Sequence, residues 1–130
     1  MKIFALNTFS LCLICVLLLQ VESLRKMATK GGFAGSCSKI WYDYIQVSLY
    51  GMCKNFQGQE VKTSIDLNQC VTNNNGNLGK GTGFAHSSSS CYVNGNILTC
   101  AKVKNGNGQT AESSTDLNSL VGNNNGNLQC

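Results

Sequence analysis

The sequence predicts a mainly β domain built from two pseudo-symmetric repeats, and three observations lead to this fold class. Residues 63–78, "TSIDLNQCVTNNNGNL", recur as residues 113–128, "SSTDLNSLVGNNNGNL", with 11 of 16 positions identical and no gap. Five Asn-Gly pairs punctuate the chain, and Asn-Gly favours a tight β-hairpin because both residues tolerate positive φ. No stretch shows a long helical stripe. Two copies are too few for a solenoid, so they indicate one domain.

The composition is typical of a small single-domain protein. The chain has 130 residues, no proline, 8 cysteines and 12% charged residues, with a formal net charge of +4. A nucleic-acid binder usually concentrates its basic residues in a dense stripe. The lysines here are scattered along the chain, which argues against nucleic acid as a partner. The polarity comes mainly from Asn, Ser and Thr, whose neutral side chains both donate and accept hydrogen bonds.

The N-terminal segment is predicted to be a secretory signal peptide over residues 1–23. Lys2 gives a positive start, Leu11–Leu19 is an apolar run, and Val21–Ser23 suits a cleavage site. The run is short for a membrane span, and an uncleaved anchor is the alternative. Two cysteines would leave with this segment, and the secreted chain would keep an even number, which is typical of a disulfide framework. The six that remain are Cys37, Cys53, Cys70, Cys91, Cys100 and Cys130.

The remaining chain divides into a short extension and the two repeats. Residues 24–31 lack periodicity and predict a loose N-terminal extension. The repeats cover about 33–80 and about 84–130, and each starts with the same pair, Phe33 followed by Ala and Phe84 followed by Ala.

Local patterns inside the repeats predict strands and single helical turns. Apolar and polar residues alternate over residues 45–50, which is the pattern of a half-buried strand. Residues 97–99 form a short strand candidate after an Asn-Gly turn. Asp66 is placed to cap a single helical turn in the first repeat, and Asp116 repeats this arrangement in the second, each before inward-facing apolar residues.

The order of these motifs resembles a known family. The order is Phe-x-x-x-Cys, a hairpin, a second Cys, a Gly-containing turn, "S-I-D-L-N" and then "N-x-N-G-x-L". It recurs in the second half, with Ser88 in place of the first Cys and "S-T-D-L-N" in place of "S-I-D-L-N". It resembles the cyanovirin-N homology (CVNH) family of small secreted lectins. The resemblance covers residues 32–128, which places a CVNH domain at 32–130.

The resemblance implies both a fold and a function. The fold would be a cyanovirin-N-like, pseudo-two-fold domain of two strand-exchanged repeats, each a three-stranded sheet plus a hairpin, with short helical turns. The function would be binding of high-mannose oligosaccharides or glycoproteins through one or two shallow clefts, without catalysis. The oligomeric state stays open between a monomer and a dimer linked through Cys130.

The resemblance also implies a pairing of the cysteines. Cys37 and Cys53 stand where the family has its first disulfide. The second repeat carries Ser88 and Lys102 at the matching positions, so we expect a replacement bridge between Cys91 and Cys100, which a turn over residues 94–97 brings opposite each other. For the last two cysteines, two alternatives remain open. Cys70 and Cys130 either pair, or they stay a buried thiol and an exposed or intermolecular one.

Two clefts follow from the family's binding positions. The first would be lined by Gly32, Gly35, Ser36, Lys54, Phe56, Asn123, Asn124 and Asn125. The second would be lined by Thr72, Asn73, Asn75, Gly83, His86, Ser87, Lys104 and Asn105. The family's best-known member has acidic residues at several of these positions, and asparagine is a weaker acceptor than a carboxylate.

Asn73 and Asn123 are the strongest of the predicted contacts, and the alternative is that they are turn residues that bond their own backbone. An aromatic platform would also suit a sugar. Its candidates are Trp41, Tyr42 and Tyr44, although Trp41 is equally consistent with a core position.

Catalytic, metal and cofactor chemistry are not supported by the sequence. After the signal peptide there is one histidine, His86, and the two repeated aspartates are explained as caps, so no nucleophile–base or carboxylate pair is evident. The Asn-rich segment starting at Val71 lacks the first and last ligands of a calcium loop, and no zinc-ligand spacing is present. We therefore expect no enzyme activity, no metal and no cofactor. The alternatives to a lectin are a secreted binding or defence module that has lost sugar affinity, and a structural extracellular protein.

Overall fold

The computed structural model describes residues 31–130. Within them the strands are β1 Cys37–Asp43, β2 Ser48–Lys54, β3 Glu60–Asp66, β4 Val71–Asn74, β5 Asn77–Lys80, β6 Ser88–Asn94, β7 Ile97–Lys104, β8 Thr110–Asp116, β9 Gly122–Asn124 and β10 Asn127–Gln129. Single-turn 3-10 helices lie at Phe33–Gly35, Leu67–Gln69, Phe84–His86 and Leu117–Ser119. The predicted signal peptide and all but the last residue of the predicted extension lie outside the described residues.

The strands form two antiparallel sheets and two hairpins. β1-β2-β3 make one three-stranded sheet and β6-β7-β8 make the other, while β4-β5 and β9-β10 are two-stranded. Each repeat thus contributes one sheet followed by one hairpin, so the predicted mainly β, pseudo-two-fold fold is confirmed. No helix in this part of the chain is long and apolar enough to cross a membrane.

Asn-Gly turns close the two short hairpins. Asn75 and Gly76 have φ angles of 50° and 94°, and Asn125 and Gly126 have φ angles of 53° and 88°. Positive φ at both central residues is the requirement of the tight hairpin turn whose twist matches the flanking strands. The φ angles therefore explain the Asn-Gly pair in each repeat, but they do not require the two asparagines before it.

The hairpins are exchanged between the repeats. The N–H of Leu78 in β5 donates to Ser113 Oγ in β8 at 3.0 Å, and the N–H of Leu128 in β10 donates to Thr63 Oγ1 in β3 at 3.1 Å. Each sheet is therefore completed by the hairpin of the other repeat. This confirms the strand exchange that the family resemblance implied.

The core is built from matching residues of the two repeats. Asp66 and Asp116 accept the N–H of the residue two positions on, each at 2.9 Å, and so cap a 3-10 turn as predicted. These turns fix the fully buried leucines Leu67 and Leu117. Among the largest fully buried side chains are also Phe33, Phe84, Leu49, Leu98, Val71, Val103 and Val121.

One predicted strand is partly wrong. β1 ends at Asp43, whose Oδ1 accepts the N–H groups of Ile45 and Gln46 at 2.9 and 3.2 Å. The chain therefore turns over residues 44–47, and β2 begins only at Ser48. Ile45 is 77% exposed at the tip of this hairpin instead of facing the core. A carboxylate that satisfies two backbone donors outweighs the alternating pattern there.

All three disulfides form: Cys37–Cys53, Cys91–Cys100 and Cys70–Cys130. One alignment within the second repeat is wrong, because Ser88 pairs with Val103 and not with Lys102. On both strands, the Cys91–Cys100 bridge thus lies three residues closer to the hairpin turn than the pair of Ser88 and Val103. Ser88 Oγ is buried there, with no hydrogen-bond partner in the described part of the chain.

We expect removal of the Cys70–Cys130 bridge to cost more stability than removal of Cys91–Cys100. The two bridges span sequence separations of 60 and 9 residues. The loop-closure entropy that each removes from the unfolded chain corresponds to about 4 and about 2.5 kcal/mol. Guanidinium unfolding of the two double Cys→Ala variants measures the difference, and a smaller loss for the long-range bridge would contradict it.

Candidate functional site

Both predicted clefts lie where an Asn-Gly hairpin meets the loop between the second and third strands of a sheet. Asn75 Oδ1 accepts the N–H of Gly106 at 2.7 Å. In the other lobe, Asn125 Oδ1 accepts the N–H of Phe56 at 2.8 Å. The third asparagine of each triplet therefore attaches its hairpin to the facing loop, in the same way at both places.

The first asparagine of each triplet is more deeply engaged. Asn73 donates both amide hydrogens of Nδ2, to Ser87 Oγ at 2.8 Å and to the carbonyl oxygen of Lys104 at 2.7 Å. Its Oδ1 accepts the N–H of Gly76 at 2.7 Å. One side chain thus closes its own turn and joins the hairpin to two segments of the other repeat.

Asn123 repeats this arrangement. Its Nδ2 donates to Ser36 Oγ at 2.8 Å and to the carbonyl oxygen of Lys54 at 2.9 Å, and its Oδ1 accepts the N–H of Gly126 at 2.8 Å. The side chain is buried, with 8% of the residue exposed. Because both donors of each amide are committed, the geometry gives Asn73 and Asn123 a positioning role.

The second cleft brings its other predicted residues around this anchor. Asn105 Oδ1 accepts the N–H groups of Asn107 and Gln109, each at 3.0 Å, which fixes the loop after β7. His86 is exposed at the end of its 3-10 helix, and Lys104 is exposed on β7. Thr72 packs against Gly81, and Gly83 opens the 3-10 turn beside His86.

A depression of about 520 Å³ adjoins this cleft and contains residues that the sequence did not single out. It is lined by Asn75, Gly76, Asn77, Val103, Asn105, Gln109, Thr110 and Ala111. Only Asn75 and Asn105 were predicted as contacts. The position of Gln109 directly before β8 gives only a weak indication that it lines a site. Nothing in the sequence shows that the β4–β5 hairpin of the other repeat faces it.

The first cleft differs from the second mainly at one loop position. Phe56 occupies the place that Gly106 has in the second lobe, and its ring is 55% exposed. Lys54 and Gly35 are also exposed, and Ser36 accepts the amide of Asn123. Asn124 donates through Nδ2 to Gln129 Oε1 at 3.4 Å. The structure thus brings Ser36, Lys54, Phe56 and Asn125 around Asn123. Gly32 and Gly35 belong to the 3-10 turn before Ser36, and the Asn124 side chain bonds the neighbouring strand and not the cleft residues.

The chemistry that these clefts offer is neutral hydrogen bonding. The Nδ2 groups of Asn75, Asn105 and Asn125 have no acceptor among the described residues, and the hydroxyl hydrogens of Ser36 and Ser87 remain available. In the same part of the chain, no group of three or more His, Cys, Asp or Glu side chains is placed to hold a metal ion.

The family model of the CVNH domain matches residues 33–129. The chain belongs to the CVNH family. Its repeats and its exchanged hairpins are therefore the features of a CVNH domain. No curated protein sequence matches the chain significantly.

Solved CVNH structures share the fold. The CVNH protein of T. borchii is 33% identical with a TM-score of 0.63, covering 75% of this chain and 96% of its own. A microvirin:mannobiose complex is 24% identical with a TM-score of 0.64, covering 76% and 97%. The MoCVNH3 variant Mo0v, in complex with (N-GlcNAc)4, is 20% identical with a TM-score of 0.69, covering 78% and 99%.

We expect Asn73→Ala and Asn123→Ala each to destabilise the CVNH domain by about 2–4 kcal/mol, because three hydrogen bonds are lost and buried partners are left unsatisfied. Asn123→Ala should cost more, since Asn123 is the more buried of the two. Urea unfolding measures both.

Asn74→Ala is the matched control within the same triplet. Asn74 is exposed, and its side chain makes no hydrogen bond among the described residues. Its loss should stay within about 0.5 kcal/mol. Equal stability of all three variants would show that the amides do not hold the hairpins.

Proposed function

We propose that this protein is a secreted lectin that binds mannose-rich glycans in one or two shallow clefts, without catalysis. The observation that carries the proposal is the duplicated cleft, in which a buried amide fixes the backbone and leaves neighbouring amide and hydroxyl groups free. The fold shared with microvirin, solved with mannobiose, and with Mo0v, solved with (N-GlcNAc)4, supports carbohydrate as the ligand class.

The physical basis is the match between fixed neutral donors and sugar hydroxyls. A sugar oxygen loses water when it binds, and a rigid donor can replace that hydrogen bond with little loss of side-chain entropy. Asn75 and Asn125 each spend Oδ1 on the facing loop and present Nδ2. Their contribution to sugar binding is therefore to donate to hydroxyl oxygens, whereas a carboxylate at these positions would accept from hydroxyl hydrogens.

The second cleft is the better candidate for the primary site. Gly106 leaves open the space that the Phe56 ring occupies in the first lobe, and the depression beside Asn75 and Asn105 gives a ligand room to enter. His86 and Lys104 add exposed polar groups at its edge. Binding at one such cleft should be weak, and two clefts on one rigid body gain by avidity on multivalent glycans.

Export from the cell is part of the proposal. It is supported by the signal-peptide pattern at residues 1–23 and by three disulfides, which persist in oxidising compartments. The second candidate function is a secreted binding or defence module that recognises a protein. It is favoured by one observation, that the side-chain oxygens of Asn75 and Asn125 are already used by backbone groups.

A glycan array tests the proposal directly. We expect signals from glycans that end in α1-2-linked mannose. Silence across all mannose-terminated glycans at millimolar ligand would reject the lectin function and favour the protein-binding module.

Asn75→Asp is expected to tighten mannobiose binding by about fivefold to tenfold, because a charged acceptor makes a hydrogen bond roughly twice as strong as a neutral one. One carboxylate oxygen keeps the bond from Gly106, and the other faces the ligand. Isothermal titration calorimetry measures the gain in mannobiose affinity. A poorly folded variant would bind more weakly, so misfolding cannot produce this result. Asn107→Asp adds the same charge in the same loop outside the predicted cleft and is the control. Equal affinities of both variants would remove Asn75 from the site.

A further inference from the structure

A stacked aromatic pair lies on the outer face of the first sheet. It is on β1 and β2, at positions that contribute no residue to either cleft. The rings of Trp41 and Tyr50 are parallel within 6°, with centroids 4.1 Å apart. Trp41 is the only tryptophan in the sequence and is 49% exposed. Since Tyr50 covers one face of the indole, the exposed area includes the opposite face.

A backbone bulge is what turns the indole outward. Ser38 pairs with Met52, but Trp41 pairs with Tyr50, so β1 contains one extra residue between these pairs. Lys39 has a φ of 51° at this bulge. The extra residue inverts the in–out alternation of β1, because a one-residue shift moves every following side chain to the other face. Trp41 therefore projects from the sheet, away from the core.

The inward neighbour of Trp41 confirms this orientation. Ile40 packs over Gly51, where its Cδ1 lies only 2.7 Å from the position that a Cβ would take. Ile40 thus occupies the inner-face position opposite Gly51 that Lys39 would take in a regular strand. The exposed indole is a consequence of the backbone path and is not a misplaced core residue.

The aromatic pair is held rigidly. Tyr50 Oη donates to Gln46 Oε1 at 2.7 Å, and Asp43 fixes the turn between the two strands through two backbone N–H groups. The Cys37–Cys53 bridge links β1 to β2 at the other end. A flat surface that needs no ordering on binding avoids part of the entropic cost of association.

Hydrogen-bonding side chains flank the indole on the outer face of β1 and β2. Asp43 and Ser48 form the outward pair on one side of Trp41 and Tyr50, and Ser38 lies in the outward row on the other side. Beyond Tyr50, Ser64 lies opposite it on β3. The indole N–H of Trp41 has no acceptor among residues 31–130. An apolar face with a polar rim matches a pyranose ring, which has C–H groups on its faces and hydroxyls at its edge.

We propose that Trp41 and Tyr50 form a third carbohydrate site, separate from both clefts, on which the C–H face of a pyranose ring stacks. The site suits β-linked sugars of gluco configuration, since their equatorial substituents leave both ring faces apolar. The axial O2 of mannose interrupts one face. This site extends the proposed lectin function, but it does not depend on sugar binding in the clefts.

The local charge disfavours an anionic lipid surface as the occupant. The hairpin tip carries Asp43, and Asp66 lies beside it across β2. Burial, and then the carboxylates of Asp43 and Asp66, raise the pKa of nearby Tyr42. Lys39 at the bulge and Lys62 on β3 balance these two carboxylates, so the face has no net positive charge to attract anionic headgroups, while a neutral sugar is indifferent to charge.

The second repeat supplies a matched control. Ser90 has a φ of 54°, and Tyr92 projects outward with 54% exposure, as Trp41 does in the first repeat. Tyr92 pairs with Thr99, whose hydroxyl bonds Ser114 Oγ at 2.8 Å, so within residues 31–130 no second ring stacks on Tyr92. The pseudo-symmetry thus places a single aromatic residue where the first repeat has a stacked pair.

Intrinsic fluorescence of Trp41 tests the proposal, because the chain has no other indole to mask the signal. Titration with cellotetraose should change the emission of Trp41 in a saturable way. Trp41→Ala, followed by calorimetry, should weaken cellotetraose binding at least about tenfold, as removal of a stacking platform does. Tyr50→Ala should weaken it severalfold, and Tyr92→Ala should leave it unchanged. Circular dichroism confirms that each variant folds.

Three outcomes would overturn the proposal. The first is that cellotetraose at millimolar concentration leaves the emission of a folded protein unchanged. The second is that Tyr92→Ala weakens binding as much as Trp41→Ala. The third is that phosphatidylcholine vesicles change the emission where sugar does not. Asn75→Ala with Asn125→Ala separates this site from the clefts. That double variant should keep the change in Trp41 emission on addition of cellotetraose. Its mannobiose affinity reports on the clefts alone.

Discussion

The buried amides of Asn73 and Asn123 are the interactions on which the rest of the structure depends. Each closes its own Asn-Gly turn and then reaches a serine hydroxyl and a lysine carbonyl in the other repeat. Apart from this link, the other hydrogen bonds across this contact are one from a hairpin N–H to a hydroxyl of the partner sheet and one from the facing loop to Asn75 or Asn125. The same link sets the distance between the hairpin and the facing loop, and therefore the shape of each cleft. The stability of the fold and the shape of the candidate clefts therefore depend on one pair of side chains.

The parts of the fold that depend on local chemistry could be predicted from the sequence. Asn-Gly turns, the caps at Asp66 and Asp116, and the repeat itself act within a few residues, and the structure confirms them. The predictions that were wrong concern places where a single residue changes which face of the sheet the following side chains point to. Nothing in the residues around Lys39 distinguishes a bulge from a regular strand, and Asp43 ends β1 although the apolar alternation continues beyond it. The register of Ser88 was misjudged for the same reason, since a pairing partner is fixed by the whole hairpin.

The candidate site also has features that the sequence could predict and features that it could not. Its position followed from the repeated triplets, because two similar turns in two similar repeats define two similar places. The role of each asparagine could not be predicted, since the partners of Asn73 lie 14 and 31 residues away and those of Asn123 lie 87 and 69 residues away. Three identical side chains in a row thus have three different functions. The first anchors the hairpin, the second faces solvent or a neighbouring side chain, and the third attaches the loop and presents its amide.

The Cys70–Cys130 bridge has a consequence for proteolysis. The connection between the repeats, around residues 81–83, is the segment whose cleavage would separate a first-repeat fragment from a second-repeat fragment. Each fragment has one internal disulfide, and Cys70 and Cys130 join the two. A single cut at this connection therefore leaves one covalent molecule, with both exchanged hairpins still held at a high effective concentration near their partner sheets. In an extracellular environment rich in proteases, such a nicked chain can retain its shape until the disulfide itself is reduced.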